Sequence, residues 1–212
     1  MNDGLVSNLA LIMGVAGAGV APRVVLLAGV AGLLAGAFSM GAGEYISMRV
    51  QRELFERLLH IEAHELGTDP EGETRELAEL FHKRGIPEEL ADRVAETLME
   101  DPQTALEIHA KEELGLDPEE LGSPWGAASS SFLTFSVGAV VPLAPYLFAE
   151  GTAAAIAAVG LALGALFGVG AAMTYFTGRN LAYSGVRMML IGGGAALVTF
   201  WIGRLLGVTA LG

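Results

Sequence analysis

The chain has 212 residues, of which 52% are hydrophobic. Its mean hydropathy of +0.51 is too high for an ordinary soluble domain, so we expect a membrane protein with several spans. The sequence has no cysteine, which excludes disulfides, zinc–thiolate sites, iron–sulfur clusters and thiol catalysis. The formal net charge of −12 argues against nucleic acid as a partner, because the sequence offers no basic face.

The charged residues are concentrated in one stretch. Residues 49–122 hold 21 of the 24 Asp and Glu and eight of the 12 Lys and Arg, whereas the rest of the chain is nearly neutral. We therefore divide the chain into two membrane helices (1–48), an acidic helical insert (49–122) and three further membrane helices (123–212). The expected fold is an all-α membrane protein with five transmembrane helices and the insert between the second and the third.

Five apolar stretches approach or exceed the length that a helix needs to cross a bilayer. They are residues 3–20, 24–48, 125–148, 151–176 and 181–206. The second runs without a breaker into the insert. In the fourth, Gly160, Gly164 and Gly168 recur every four residues, which predicts close approach of another helix. Five arginines near span ends lie on the side of the insert and two, Arg23 and Arg204, on the other, which predicts a cytosolic insert.

Four helices are expected in and around the insert, at residues 43–66, 73–84, 88–100 and 102–114. Residues 67–72 are expected to form a loop between the first two helices, because this stretch contains two glycines and a proline. Asp101 is expected to cap the last helix. In the third helix, Leu90, Val94 and Leu98 are expected to face inward.

Several acidic side chains fall on the packing faces of these helices. The apolar stripe of the first helix consists of Leu54, Phe55, Leu58, Leu59, Ile61 and Leu66. At about 100° per residue, Glu62 and Glu65 fall inside this stripe, whereas Glu53 and Glu56 fall on the opposite face. Two further helices repeat the pattern. Together the residues aimed at packing faces are Glu62, Glu65, Glu73, Glu76, His109 and Glu113.

These six residues predict a site for several divalent cations. An unpaired carboxylate is costly to remove from water, and the stretch has only eight basic residues to pair with 21 acids. Hard divalent ions prefer several oxygen ligands, and the imidazole of His109 favours Fe²⁺ or Mn²⁺ over Ca²⁺. The alternative is that the glutamates surround a small core at a subunit interface and pair with Arg or Lys.

Two acidic residues lie within or close to the spans on the insert side of the membrane, Asp3 and Glu44. Ionisable residues in such positions are usually functional. Met40 lies one helical turn before Glu44, and Gly32 and Gly36 continue the same line. We expect Asp3, Met40 and Glu44 to form an ion path, with ordinary packing as the alternative for Met40. We also expect the line of residues on the second helix to lie at the axis of a homodimer.

Four stretches of the chain resemble the vacuolar iron transporter family, which includes plant and yeast vacuolar iron and manganese carriers and bacterial relatives. They are DGLVSNLALIMGVAGA (3–18), AGAFSMGAGEYIS (35–47), DPQTALEIHAKEELGL (101–116) and SFLTFSVGAVVPLAPYL (131–147). The resemblance covers nearly the whole chain. It implies a homodimer of five-helix subunits that exchanges cytosolic Fe²⁺ or Mn²⁺ for protons and gathers metal with its insert.

The resemblance also implies where the protein works and which residues take part. The membrane would be the inner membrane of a bacterium or the vacuolar membrane of a eukaryote, with lipids around the spans and no organic cofactor. The family's path residues fall on Asp3 and Met40. Its insert ligands fall on Glu62, Glu65, Glu73, Glu76 and Glu113.

The chain departs from the family pattern at four places. The methionine pair of the last insert helix is His109 and Ala110 here, so an imidazole replaces one thioether and one ligand is lost. The acidic residue that plant members carry two turns before the methionine of helix two is Gly32, and we expect Glu44 to take its proton-coupling role. The proline of helix one is Asn8, which removes the reason for a kink. Relatives carry residues before the DGL motif, which predicts a truncated or alternative start here.

Two other functions fit parts of the sequence. A ferritin-like di-iron oxidase would need two Glu-x-x-His pairs on facing helices, and the sequence offers only Glu79 and His82, on the solvent side of their helix. A membrane-anchored metal sensor would use the acidic insert without transport. The acidic residues Asp3 and Glu44 favour a transporter, because a sensor does not need a polar path through the bilayer.

Overall fold

The computed structural model describes residues 1–115, 117 and 122–211, and only the backbone of 208–211. This part of the chain is helical and contains no strand, which confirms the expected all-α class. The helices are α1 (Asn2–Gly17), α2 (Pro22–Thr68), α3 (Pro70–Lys83), α4 (Glu88–Met99), α5 (Pro102–Glu112), α6 (Pro124–Leu143), α7 (Gly151–Thr177) and α8 (Leu181–Leu211). A short 3-10 helix, Ala144–Leu147, follows α6.

The chain forms two compact units. The first, here the membrane unit, comprises Met1–Glu44 and Ala127–Gly212. The second, here the insert unit, is Tyr45–Gly126. The helix α2 is continuous and contributes its first part to the membrane unit and its second part to the insert unit. The prediction that the second apolar stretch runs unbroken into the acidic helix is thereby confirmed.

Four helical segments are long and apolar enough to cross a membrane: α2, α6 with its 3-10 extension, α7 and α8 up to Gly207. The helix α1 has 16 residues, about 24 Å at 1.5 Å per residue, which is shorter than the hydrocarbon layer of about 30 Å. It is nevertheless central to the membrane unit. Leu9 is fully buried beside Ala162 and Ala196, and Ile12 is fully buried beside Leu143.

Glycine allows close helix packing at sites other than those expected. A Cβ at Gly4 would collide with the carbonyl oxygen of Phe135 on α6, so α1 and α6 touch backbone to backbone. By contrast, no described atom lies within 4 Å of a Cβ built at Gly160, Gly164 or Gly168, so the predicted close approach is wrong within this chain. The face of α7 that packs is its other stripe of small residues, which includes Ala154, Ala158 and Ala162.

The insert unit has a small core beneath α3, α4 and α5. Leu77, Ala78 and Ala95 are buried there, with Phe81 and Ile108 packed against them. The expected loop at 67–72 is wrong in part, because α3 begins at Pro70. Asp69 Oδ1 accepts a hydrogen bond from the Gly72 backbone N–H at 3.0 Å, and Pro70 occupies the first helical turn, so the helix starts three residues early.

Two expectations about apolar faces are also corrected. Leu90 is 50% exposed and does not face inward, whereas Leu98 packs against the core as predicted and Val94 is half-buried. Ala91 and Ala95 form the buried side of α4. In the stripe of α2, Leu54 and Ile61 are exposed, so the predicted stripe is not a continuous core face.

Candidate functional site

Four residues of the insert unit converge. Glu62 lies on α2, Glu73 on α3, His109 in the last turn of α5, and Glu113 just after α5. Each offers one potential ligand atom, and these four atoms all lie within 4.8 Å of one another. His109 Nδ1 lies 3.0 Å from Glu62 Oε1, 3.6 Å from Glu73 Oε2 and 3.7 Å from Glu113 Oε2. We call these four residues the insert cluster.

Local sequence signals place the ligand atoms. Asp101 begins α5 by accepting hydrogen bonds from the backbone N–H and the hydroxyl of Thr104, which confirms the predicted cap. His109 and Glu113 are then four residues apart, and the Glu113 N–H donates to the His109 carbonyl at 2.9 Å, so their side chains share a face. On α3, the Asp69 cap places Glu73 at the end of the first turn.

Two members of the cluster are buried without hydrogen bonds, whereas Glu73 is half-buried and Glu113 is exposed. His109 is fully buried and Glu62 is 3% exposed. Both ring nitrogens of His109 and Glu62 Oε1 lack a hydrogen-bond partner, although Nδ1 and Oε1 are 3.0 Å apart. Leaving such groups unpaired costs about 1–3 kcal/mol each. A cation bound between these atoms accepts lone pairs from both side chains, so this donor set fits a divalent transition ion.

Burial and neighbouring carboxylates raise the pKa of two members of the cluster, Glu62 and Glu73. Burial raises the pKa of Glu62 to about 7, and the charges of Glu113, Glu73, Glu65 and Glu76 add to the effect. Burial also raises the pKa of Glu73, with further contributions from Glu76 and other nearby carboxylates. Raised pKa values in a cleft of like charges are typical of a binding site.

Basic side chains do not neutralise the cluster. In the described part of the chain, the Lys and Arg ion pairs are Arg49–Glu53, Arg52–Glu56, Lys83–Glu79, Arg84–Glu112 and Lys111–Asp117. None of these pairs includes a member of the insert cluster. Among the described residues, the cluster glutamates therefore have no Arg or Lys partner from their own chain.

The other predicted insert residues lie outside the cluster. Glu65 and Glu76 are exposed, although their charges act on Glu62. Glu53 and Glu56 are exposed on the opposite face, as predicted, and each pairs with an arginine four residues earlier at 2.8 Å. Glu79 is also exposed, 3.4 Å from Lys83.

The histidine of the ferritin-like pair is also outside the cluster. His82 is exposed, and its Nδ1 lies 3.0 Å from the Ile86 carbonyl oxygen. Together with the exposed Glu79, it forms no part of a buried metal centre. A di-iron oxidase site of the ferritin type is therefore not built from this pair.

The membrane unit contains a cavity of about 260 Å³, here the membrane cavity, that brings two of the predicted path residues together. Its lining residues are Asp3, Ser7, Asn8, Leu11, Gly32, Gly36, Ser39, Met40 and Phe135. The pair is Asp3, at the start of α1, and Met40, on α2, so one carboxylate and one thioether share the cavity. Glu44 is half-buried further along α2 and does not line it.

Gly32 and Gly36 on α2 line this cavity and lie against α1 and α6. A Cβ at Gly32 would meet Leu11 and Asn8 of α1, and one at Gly36 would meet the ring of Phe135 on α6. Both glycines therefore pack closely against helices of the same chain, and their place at the axis of a homodimer stays a prediction. Their small size is used by close packing within the chain.

Sequence reasoning missed Asn8 as a functional candidate. It is 2% exposed, and its Nδ2 donates to the Ala139 carbonyl on α6 at 2.7 Å. Its Oδ1 is buried without a hydrogen-bond partner, and the residue lines the membrane cavity. The signal in the sequence was an amide within an apolar helix, four residues before Ile12 and one after Ser7.

Comparison with known proteins shows which family this chain belongs to. Residues 1–204 match the family model of the VIT family. Vacuolar iron transporter 2 of Oryza sativa subsp. japonica is 33% identical over 205 residues, which cover 96% of this chain and 83% of that protein. Vacuolar iron transporter 1 of Eucalyptus grandis is also 33% identical, and the match covers 96% of this chain and 82% of that protein. The vacuolar iron transporter of Acanthamoeba castellanii is 36% identical over 187 residues, which cover 85% of this chain and 69% of that protein. The chain belongs to the VIT family of vacuolar iron transporters.

Proposed function

We propose that this protein carries Fe²⁺ or Mn²⁺ out of the cytosol in exchange for protons. The observation that carries the proposal is the insert cluster, in which Glu62, Glu73, Glu113 and His109 converge without a basic partner. The names of its relatives, vacuolar iron transporters, support metal as the cargo. The membrane cavity, which contains the carboxylate of Asp3 and the thioether of Met40, supports transport over sensing alone.

The insert cluster collects the ion. Three carboxylates and one imidazole suit Fe²⁺ or Mn²⁺, since imidazole is a poor ligand for Ca²⁺ and Mg²⁺. The exposed Glu65 and Glu76 add negative charge around the cluster and raise the local concentration of cations. In this proposal all six predicted insert residues contribute, four as direct ligands and two by their charge.

The membrane unit moves the ion. Asp3 and Met40 bind it in the membrane cavity, where the thioether favours a partly dehydrated Fe²⁺ over Ca²⁺ or Mg²⁺. Glu44, one helical turn from Met40, exchanges a proton as the metal passes. Because proton release and metal binding then depend on each other, flux of one ion drives the other.

An orientation and an assembly are part of the proposal. The excess of arginines beside the insert supports a cytosolic insert, and in this proposal the protein acts as a homodimer within the lipid bilayer. Leu27, Leu34 and Phe38 form one exposed apolar face of α2 and are better cross-linking positions than the packed glycines. Cysteine at Leu34 is expected to give a covalent dimer in membranes, and light scattering of the purified protein is expected to give twice the subunit mass.

Metal uptake into proteoliposomes tests the function directly. With a pH-sensitive dye inside, Fe²⁺ and Mn²⁺ are expected to enter and protons to leave, whereas Ca²⁺ is expected to give little signal. Uptake of Co²⁺ measures how strictly the site selects among transition ions. Metal binding without uptake or proton movement would contradict transport and favour the membrane-anchored sensor.

A further inference from the structure

Asn8 presents an oxygen atom to the membrane cavity that no protein group satisfies. The side chain is 2% exposed, and its Oδ1 has no hydrogen-bond partner among the described residues. A buried amide oxygen without a partner is unfavourable unless another group supplies one. The missing partner must be a hydrogen-bond donor or a cation that reaches the membrane cavity.

The orientation of the amide is fixed by its other end. Nδ2 lies 2.7 Å from the Ala139 carbonyl oxygen, and a carbonyl oxygen only accepts. The nitrogen must therefore point towards α6, which turns Oδ1 away from it. Oδ1 lies 3.0 Å from the position that a Cβ would take on Gly32, a residue that also lines the cavity. A side chain at Gly32 would lie against this oxygen, whereas glycine adds no side-chain atom beside Oδ1.

The other cavity residues supply complementary ligand chemistry. Asp3 offers a carboxylate and Met40 a thioether, and both line the same space as Asn8. The Ser7 hydroxyl donates its proton to the Asp3 carbonyl at 2.6 Å, which leaves the lone pairs of its oxygen available. An amide oxygen is a hard, neutral ligand of the kind that divalent ions accept beside a carboxylate. It adds affinity without adding charge.

We propose that Asn8 Oδ1 is a further ligand of the transported divalent ion, beside Asp3 and Met40. This inference rests on the proposed function of the membrane cavity. Asn8 then has two separate tasks: its Nδ2 ties α1 to α6, and its Oδ1 binds cargo. A neutral ligand leaves the ion held by a single carboxylate in the cavity, which keeps its release fast.

Two substitutions at Asn8 separate the ligand from the helix tie. Both Asn8→Asp and Asn8→Leu remove the donor to Ala139, but only Asn8→Asp keeps an oxygen at the cavity. We use full-length protein in detergent that also carries Glu62→Gln and Glu73→Gln to weaken the insert cluster, and measure free Mn²⁺ by electron paramagnetic resonance. Asn8→Leu is expected to weaken Mn²⁺ binding about tenfold, whereas Asn8→Asp is expected to strengthen it about tenfold because it adds a charge.

A purely structural Asn8 gives a different result. Equal losses in both variants, or no change in either, would overturn the ligand role. If Asn8→Leu does not fold, Asn8→Asp decides alone, because weaker or unchanged binding in that variant also overturns it. Asp3→Asn and Met40→Leu test the proposed function separately. If these two keep full binding, the cavity itself is not the metal site; if they lose it while Asn8→Leu does not, only the role of Asn8 fails.

Discussion

The insert cluster and the membrane cavity offer a metal ion different surroundings. In the insert unit, three carboxylates and an imidazole converge within 4.8 Å, and further acidic residues act on them. In the membrane unit, Asp3 is the one acid among the described residues that line the cavity, and its companions are a thioether, an amide and hydroxyls. One site is rich in charge and the other is poor in it.

The difference matches two tasks. A site that collects ions from dilute solution gains from concentrated negative charge, which draws cations in and compensates for lost water. A site on a path must release what it binds, so a high charge there would trap the ion. Capture and passage therefore favour separate residues, and variants in the two units are expected to fail in different ways.

The largest expected effect is on transport. Asp3→Asn or Glu44→Gln is expected to reduce proton-coupled flux in proteoliposomes to background, because each removes an acidic residue of the proposed path. Metal binding by the insert cluster is expected to stay intact in both variants. Proton counterflow that persists at wild-type stoichiometry in Glu44→Gln rules out this residue as the coupling site and leaves Asp3 as the candidate.

The next effect concerns pH. Glu62 has its pKa raised from 4.5 to about 7, so the folded insert unit binds this proton more tightly than the unfolded chain does. The stability that protonated Glu62 contributes is fully present below pH 4.5 and is lost as the pH rises through about 7. Without metal, the free energy of opening of the α5 amides is expected to fall by about 3 kcal/mol at most over this range. Hydrogen exchange, corrected for intrinsic rates, measures this free energy.

Glu62→Gln is the matched control for this pH dependence. It keeps the shape of the side chain and removes its titration, so protection in that variant is expected to change much less with pH. Mn²⁺ added above pH 7 is expected to restore protection in the wild type, because the ion replaces the proton as the partner of the carboxylates. Protection that rises with pH in the metal-free wild type would contradict the raised pKa.

Metal binding by the insert is expected to depend on position as well as charge. Glu62→Gln with Glu73→Gln removes two clustered carboxylates and is expected to lower Mn²⁺ affinity about tenfold to 100-fold. Glu53→Gln with Glu56→Gln removes the same charge from the exposed face, where both residues pair with arginines. This double variant is expected to change the Mn²⁺ affinity little. Equal losses from the two pairs would mean that binding is diffuse electrostatics.

A smaller effect is expected on selectivity in the membrane cavity. Met40→Ala removes the thioether and is expected to lower Fe²⁺ transport about fivefold more than Mn²⁺ transport, because Fe²⁺ gains more from a soft ligand. Met40→Leu keeps the volume and serves as the packing control. If both ions lose transport equally in Met40→Ala and neither does in Met40→Leu, the side chain matters for packing and not for choice of ion.

The parts of the fold that were predictable are those that local patterns determine. Apolar length predicted the four segments that are long enough to cross a membrane, and Asp101 followed by Pro102 predicted the start of α5. The angular position of the acidic residues predicted that Glu62, Glu73, His109 and Glu113 would lie on packing faces, and all four converge. Glu65 shares its face with Glu62 but is exposed and does not join the four converging residues, which angle alone does not reveal.

What escaped prediction depends on which of several surfaces meets a neighbour. The glycine stripe and the alanine stripe of α7 are equally regular, and only packing selects Ala158 and Ala162. Gly32 and Gly36 suggested a partner subunit, but their close contacts with α1 and α6 of the same chain depend on tertiary packing that the sequence pattern does not reveal. Asn8 looked like a mere departure from a proline until its hydrogen bond to Ala139 fixed where its oxygen points.

The smallest expected effect tests a cap that the sequence already contained. Asp69 followed by Pro70 begins α3 as Asp101 and Pro102 begin α5, and Asp69 Oδ1 accepts from Gly72 N–H at 3.0 Å. Asp69→Ala is expected to lower the stability of α3 by about 1 kcal/mol, seen as faster hydrogen exchange in its first turns. Asp69→Asn keeps a capping oxygen, so it is expected to lower the stability of α3 much less. If the two variants lower the stability equally, the effect comes from the lost charge and not from the cap. Because Glu73 ends the first turn, looser capping is also expected to weaken Mn²⁺ binding, though less than Glu73→Gln does.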